Sequence, residues 1–141
     1  MTEYKRIFLD TAPIIYLLEK ADPYYGVIQN FFRDFPDADY CSSVISRCEY
    51  LVFPYRNHDM DSVNRFEQFL DDFDISVNAI GNDIADQAAR IRAQFPAFKM
   101  MDSLQLASAE LAHCDLFLTN DKQLKQYRRL NILTVAELAD T

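Results

Sequence analysis

Residues 99–121 read KMMDSLQLASAELAHCDLFLTND, and the order of elements in this stretch decides the fold. From Met100 to His113 apolar and small residues fall on nearly every side of a 3.6-residue period, which predicts a helix buried all round. Leu116–Thr119 is a short continuous apolar run, of the kind found in a strand covered on both faces. A buried helix handing over to a buried strand belongs in a sheet with helices on both sides. Asp102 lies at the start of the helix and Asp121 two residues beyond the strand.

Outward from there, strands and helices keep alternating. Tyr4–Leu9 predicts a strand centred on Ile7, Phe8 and Leu9; Asp10 and Thr11 end it, and Pro13 with Ile14, Ile15, Leu17 and Leu18 opens a helix. Pro23 and Gly26 precede a helix over Val27–Phe35, and Asp37–Ser42 predicts a second strand. Ser43 is placed to cap a helix from Val44 to about Phe53, which Pro54 ends. An amphipathic helix is expected from about Asp59 to Phe73, a strand over Asp74–Ala79, and a helix over Asp83–Gln94 capped by Asn82. Lys122–Leu130 reads as a basic turn or helix, Ile132–Thr134 as a last strand and Val135–Ala139 as a closing helix. The sum is an α/β fold: a three-layer α/β/α sandwich around a mostly parallel central sheet, one domain over residues 1–141.

Composition narrows the function classes. With 141 residues, half of them hydrophobic and 26% charged, the chain can build a core without needing disulfides or metal to fold. Gly26 and Gly81 are the only glycines, which excludes a GxGxxG dinucleotide loop, a Walker phosphate loop and a GxSxG nucleophile elbow. The longest uncharged stretch, Pro23–Phe32, is too short to cross a bilayer, and MTEYKRIFLD at the start lacks a signal-peptide pattern, so no membrane association is expected. Cys41, Cys48 and Cys114 are odd in number and have no CxxC spacing, as expected of buried, reduced thiols in the cytoplasm. His58 and His113 leave too few soft ligands for structural zinc.

Acidic residues carry the chemistry. Glu49 has Ile45 and Val52 one helical turn away, so it lies on an apolar face, where a carboxylate either snorkels to a cleft, pairs with an Arg or points into a metal pocket. Taken alone, Asp102 reads as a helix cap, and Asp10 and Asp121 as ordinary turn residues. Taken together, they fall where parallel α/β sheets place their sites, beyond the carboxyl ends of strands. All-oxygen ligands of high charge suit Mg²⁺ or Mn²⁺, and only a cation offsets the repulsion among gathered carboxylates. The net charge of −8 argues against nucleic acid, but half of it would be taken up by four metal-bound carboxylates.

Lys122, Lys125, Arg128 and Arg129 lie within eight residues after Asp121, and read either as a solvated face or as a patch that grips phosphate. Lys99, shortly before Asp102, is a further candidate, as are Lys5 and Arg6. Asp71, Asp72 and Asp74 read as a solvated helix end, and Tyr24, Tyr25, Phe31, Phe32 and Phe35 as core or subunit interface rather than a base-stacking platform. Ser42, Ser43 and His58 form no credible hydrolase triad.

FLDTAPIIYLLE (8–19), SSVISRCEYL (42–51) and KMMDSLQLASAELAHCDLFLTND (99–121) together resemble a PIN domain, and more narrowly the VapC-type toxins of bacterial toxin–antitoxin pairs. That resemblance implies a Mg²⁺- or Mn²⁺-dependent endoribonuclease with Asp10, Glu49, Asp102 and Asp121 at the metal site. Asp10 and Asp102 would be direct ligands, and Glu49 could instead orient the attacking water or act as base. The accompanying hydroxyl falls on Ser43, with Ser42 or Thr11 as alternatives; Thr11 and Asn120, beside two of the acids, join Ser43 as supports. It further implies a homodimer held inactive by a cognate antitoxin. The alternatives are an RNA-processing nuclease without an antitoxin and a non-catalytic RNA-binding module. Relatives often carry a turn glycine between His113 and Leu116; here Cys114 and Asp115 are expected to take that turn.

Overall fold

Strand β1 (Arg6–Leu9) runs through the middle of the sheet because Ile7, Phe8 and Leu9 all need cover, and neighbours on both edges and both faces supply it. The structure is a computed structural model and describes residues 3–141. Around β1 lie β2 (Asp39–Ser43), β3 (Ser76–Asn78), β4 (Leu116–Thr119) and β5 (Ile132–Thr134), in the order β3-β2-β1-β4-β5 with every pairing parallel. The connecting helices are α1 (Thr11–Leu18), α2 (Tyr25–Asp34), α3 (Val44–Arg56), α4 (Met60–Asp72), α5 (Asn82–Gln94), α6 (Met100–Leu111) and α7 (Val135–Ala139). This is the expected α/β/α sandwich.

The two-residue alternation of β1 and β4 sorts the core into two halves. Ile7, Leu9, Leu116 and Leu118 face one way and pack with Ile14, Ile28, Phe31, Tyr50, Phe66 and Val135. Phe8 and Phe117 face the other way, stack at 5.2 Å between ring centroids, and pack with Ile84, Ala88, Ile91, Leu106 and Ala107 of α5 and α6. The aromatic pair Phe31 and Phe32 is buried in the first half, in keeping with a core role.

Scarcity of glycine shows at the helix ends. Lys20, His58, Asp74 and His113 have φ of 51°, 53°, 49° and 59°, the left-handed position that glycine usually fills just after a helix. In each case the following amide closes back onto the helix: Ala21 to Tyr16, Asp59 to Pro54, Ile75 to Leu70 and Cys114 to Ala109, at 2.8–3.0 Å. Side chains at such positions cost roughly 1 kcal/mol of backbone strain each. His113, not the Cys114–Asp115 pair, therefore takes the turn before β4.

Two local expectations are corrected and a third is narrowed. Pro54 does not end α3, which runs one more turn to Arg56; the ring is buried, and its carbonyl accepts the closing bond from Asp59. In the last turn a proline forfeits one amide bond, which burial of its ring offsets. Asn82 is the first residue of α5 rather than its cap, a position held by Gly81. The basic segment after Asp121 is a 3-10 turn over Lys122–Gln126. Among the described residues no helix is long and apolar enough to cross a membrane.

Candidate active site

The chain leaves β1 for β2 on one side and is joined by β4 on the other, so a crevice opens where the carboxyl ends of β1 and β4 meet. Asp10 sits at its floor. It is 8% exposed and caps α1, its Oδ1 accepting the Thr11 amide at 2.9 Å. Two further donors come from distant segments: Gln105 Nε2 reaches Oδ1 at 3.2 Å, and the Thr119 hydroxyl reaches Oδ2 at 2.8 Å. Burial pushes the Asp10 carboxyl above its ordinary range, and these hydrogen bonds oppose that shift.

Gln105 is the hub of a buried network. Its amide nitrogen also donates to Ser46 Oγ at 2.7 Å, and its carbonyl accepts the Ser43 hydroxyl. Ser43 in turn caps α3 through the Ile45 amide at 3.0 Å. The Thr11 hydroxyl donates to Glu49 Oε1 at 2.6 Å and its Oγ1 lies 3.2 Å from Ser46 Oγ, which ties the exposed Glu49 to the floor of the crevice. Among the described residues no buried side-chain nitrogen or oxygen lacks a partner.

Asp102 is the exception to this provision. Lys99, not Asp102, holds the cap position of α6, and Asp102 is the third residue of the helix. Among the described residues no donor reaches its carboxylate. Half-buried, it is pushed up to about 6, first by desolvation and then by the charges of Asp10, Asp121 and Glu49, with Lys99 pulling the other way. All four acids thus share one electrostatic neighbourhood. Asp121 is exposed at its rim, where its Oδ1 accepts the Gln123 amide at 3.0 Å and its own amide donates to Thr119 Oγ1 at 3.1 Å.

The remaining candidates spread outward. Asn120 faces away from the acids, donating to the Tyr16 hydroxyl and accepting the Ala136 amide, each at 3.0 Å. Lys125 pairs with Glu137 at 2.6 Å and Arg129 with Glu110 at 3.7 Å, whereas Lys122 and Arg128 are exposed and make no ion pair among the described residues. Gln105, Ser46 and Thr119 escape the sequence reading. For Gln105 there was a signal: a lone amide within a helix otherwise apolar or small on its buried side. Buried Ser and Thr are too common to give one.

The sequence matches the PIN domain family over residues 7–130. The chain belongs to the PIN domain family. Among curated protein sequences none matches it. Among solved structures, this PIN domain resembles DNA-bound VapBC from Salmonella typhimurium (TM-score 0.76, 17% identity, covering 93% of this chain and 98% of that one). It also resembles a toxin–antitoxin complex from Klebsiella pneumoniae (TM-score 0.73, 20% identity, 92% and 97%). A third similar structure is VapC20 from Mycobacterium tuberculosis, described as a sarcin-ricin loop cleaving toxin (TM-score 0.70, 15% identity, 86% and 95%).

The donor chemistry of this PIN site fits a hard divalent cation, since its acids offer oxygen only and Asp102 presents charge that no protein donor offsets. Among the described residues no three His, Cys, Asp or Glu side chains lie close enough to enclose an ion. An open set of acids suits Mg²⁺, which keeps several waters and takes one or two carboxylates.

Proposed function

We propose that the chain is a Mg²⁺- or Mn²⁺-dependent endoribonuclease, working as one cytoplasmic domain, and that it is the toxin of a toxin–antitoxin pair. The carrying observation is Asp102, a half-buried carboxylate without protein donors in the field of three other acids. Membership of the PIN family and likeness to structures solved as toxin–antitoxin complexes support the same function.

Asp10 and Asp102 would hold the ion, with Asp121 at the rim. A divalent ion there would lower the pKa of an attacking water and offset the negative charge that builds on the phosphoryl oxygens. Gln105 and Thr119 fix both oxygens of Asp10, so the ligand is oriented before any ion arrives. Thr11 holds Glu49 by one oxygen and leaves the other to orient water or accept its proton. Lys99, Lys122 and Arg128 would draw the RNA backbone toward an otherwise acidic protein, while Lys125 and Arg129 act less because Glu137 and Glu110 share their charge. The proposed assembly is a homodimer, inhibited by a protein antitoxin.

Incubation of the purified protein with cellular RNA and Mn²⁺, followed by mapping of the new ends, tests the activity. Discrete ends are expected from the parent and not from Asp102→Asn. Identical end profiles with Mn²⁺ and with EDTA would sink the proposal. For the toxin role, growth arrest on expression should be relieved by a small protein encoded beside the gene.

A further inference from the structure

Away from the crevice, toward the amino ends of the strands, two thiols meet. Cys41 on β2 and Cys114, in the turn between α6 and β4, are 73 residues apart in sequence, yet their sulfurs lie 3.4 Å apart. Both are buried, at 5% and 8% exposure, whereas Cys48 is exposed. A cavity of about 370 Å³ leads to Cys41 and is lined by Arg6, Asp39, Asn78 and Ala112 among others. Arg6 is fixed at its wall by a 2.8 Å bond from Nη1 to the Ala112 carbonyl.

Burial alone would make such a pair inert. Here the surroundings work against that. The Cys114 thiol hydrogen-bonds Cys41 and holds it below the ordinary thiol range, helped by the Asn78 side chain and by the charge of Arg6. Cys114, correspondingly, is pushed up. One sulfur therefore lines a cavity wide enough for a small oxidant, and the other waits in contact with it at 3.4 Å.

We propose that Cys41 and Cys114 form a redox-active dithiol that hydrogen peroxide converts to an intramolecular disulfide. The Cys41 sulfur attacks one peroxide oxygen; the O–O bond breaks, and the departing hydroxide takes the proton Cys41 gave up, leaving as water. Cys41 is then a sulfenic acid. The Cys114 sulfur attacks it, the S–O bond breaks, and the second hydroxide leaves as water with the Cys114 proton. Two thiols and one peroxide yield one disulfide and two waters, with the protein oxidised by two electrons. The bond staples β2 to the turn that leads from α6 into β4, and leaves the acidic crevice at the other end of the sheet untouched.

The test uses the Cys48→Ser protein, so that the exposed thiol cannot react. After treatment with a few equivalents of hydrogen peroxide, the protein is denatured in excess iodoacetamide and weighed. The expected product is 2 Da lighter, carries no alkyl groups and yields a linked peptide containing residues 41 and 114. Its melting temperature should rise by on the order of 5 °C and fall back with dithiothreitol, because a long loop is closed in the unfolded chain. In Cys114→Ser, the remaining sulfur should stop at a sulfenic acid 16 Da heavier, which dimedone traps. Should that variant not fold, the linked peptide in the Cys48→Ser protein decides alone. Full alkylation of both cysteines after peroxide, or oxygen added to either without linkage, overturns the proposal.

Discussion

The Gln105 amide nitrogen stands 3.2 Å from Asp10 Oδ1 across 95 residues of sequence, and it is the bond that joins helix α6 to the end of the central strand. Gln105→Leu removes that donor and takes one hydrogen-bond partner each from Ser43 and Ser46. Breaking a buried network of this kind costs about 2–4 kcal/mol. Urea unfolding should show the midpoint falling with an unchanged slope, and cleavage should fall with it. An unaltered midpoint would mean that the network is not a source of stability.

Thr119 serves Asp10 and Asp121 at once, donating to the first and accepting the amide of the second. Thr119→Val keeps the shape and removes both bonds. Asp10, already raised by burial, loses an interaction that favours its charged form, so its carboxyl should rise further and divalent-ion affinity should fall. Calorimetric titration with Mn²⁺ at pH 6 and pH 8 checks this, with the larger deficit expected at pH 6.

The raised Asp102 carboxyl fixes the sign of a pH effect. Its folded value of about 6 lies above the ordinary aspartate value of 3.8, so folding favours the protonated form. That contribution is fully present below the unfolded pKa and is lost as pH rises through the folded one. In EDTA, the stability of the parent relative to Asp102→Asn should therefore decline from about pH 4 to pH 7. Melting temperatures of the two proteins across that range give the difference directly. A constant difference would remove the basis for treating Asp102 as uncompensated.

A divalent ion should reverse that penalty. Binding to the folded state alone adds about 2.7 kcal/mol at a hundredfold excess over Kd, on the order of 10 °C in melting temperature for a chain of this size. Mn²⁺ should raise the parent's melting point and EDTA should restore it, with a much smaller rise in Asp102→Asn. Equal melting points with Mn²⁺ and EDTA would leave the acids without a cation to hold.

The basic segment divides by its pairings. Replacing Lys122 and Arg128 with Glu should weaken RNA binding and lower the slope of log K against log salt by about one to two. Replacing Lys125 mainly releases Glu137, whose carboxyl is held down first by Lys125 and which closes the capping box of α7. That variant should lose stability more than affinity. Filter binding across a salt series, beside thermal melts, separates the two effects.

What the sequence disclosed follows physical range. Strand β4 and helix α7 lie at their expected bounds: a continuous apolar run marks the first, and the second is closed by a capping box between Thr134 and Glu137, three residues apart. Pro54 misled because its penalty is one hydrogen bond, which a buried ring can offset. At Asp102 the local rule for helix caps competed with its role in the cluster, and only the three-dimensional position of Lys99 resolves it. Gln105, Ser46 and Thr119 owe their importance to partners 35 or more residues away, which no window along the chain can reveal.

The placement of β1 has a consequence for synthesis. Its second neighbour β4, and the Thr119 and Gln105 donors that set Asp10, emerge about a hundred residues after it. On the ribosome the first acid of the crevice is made early and waits for about a hundred further residues. A nascent chain stopped short of β4 has no assembled crevice, so the order in which residues are polymerised withholds the gathered arrangement of acids until β4 has been made.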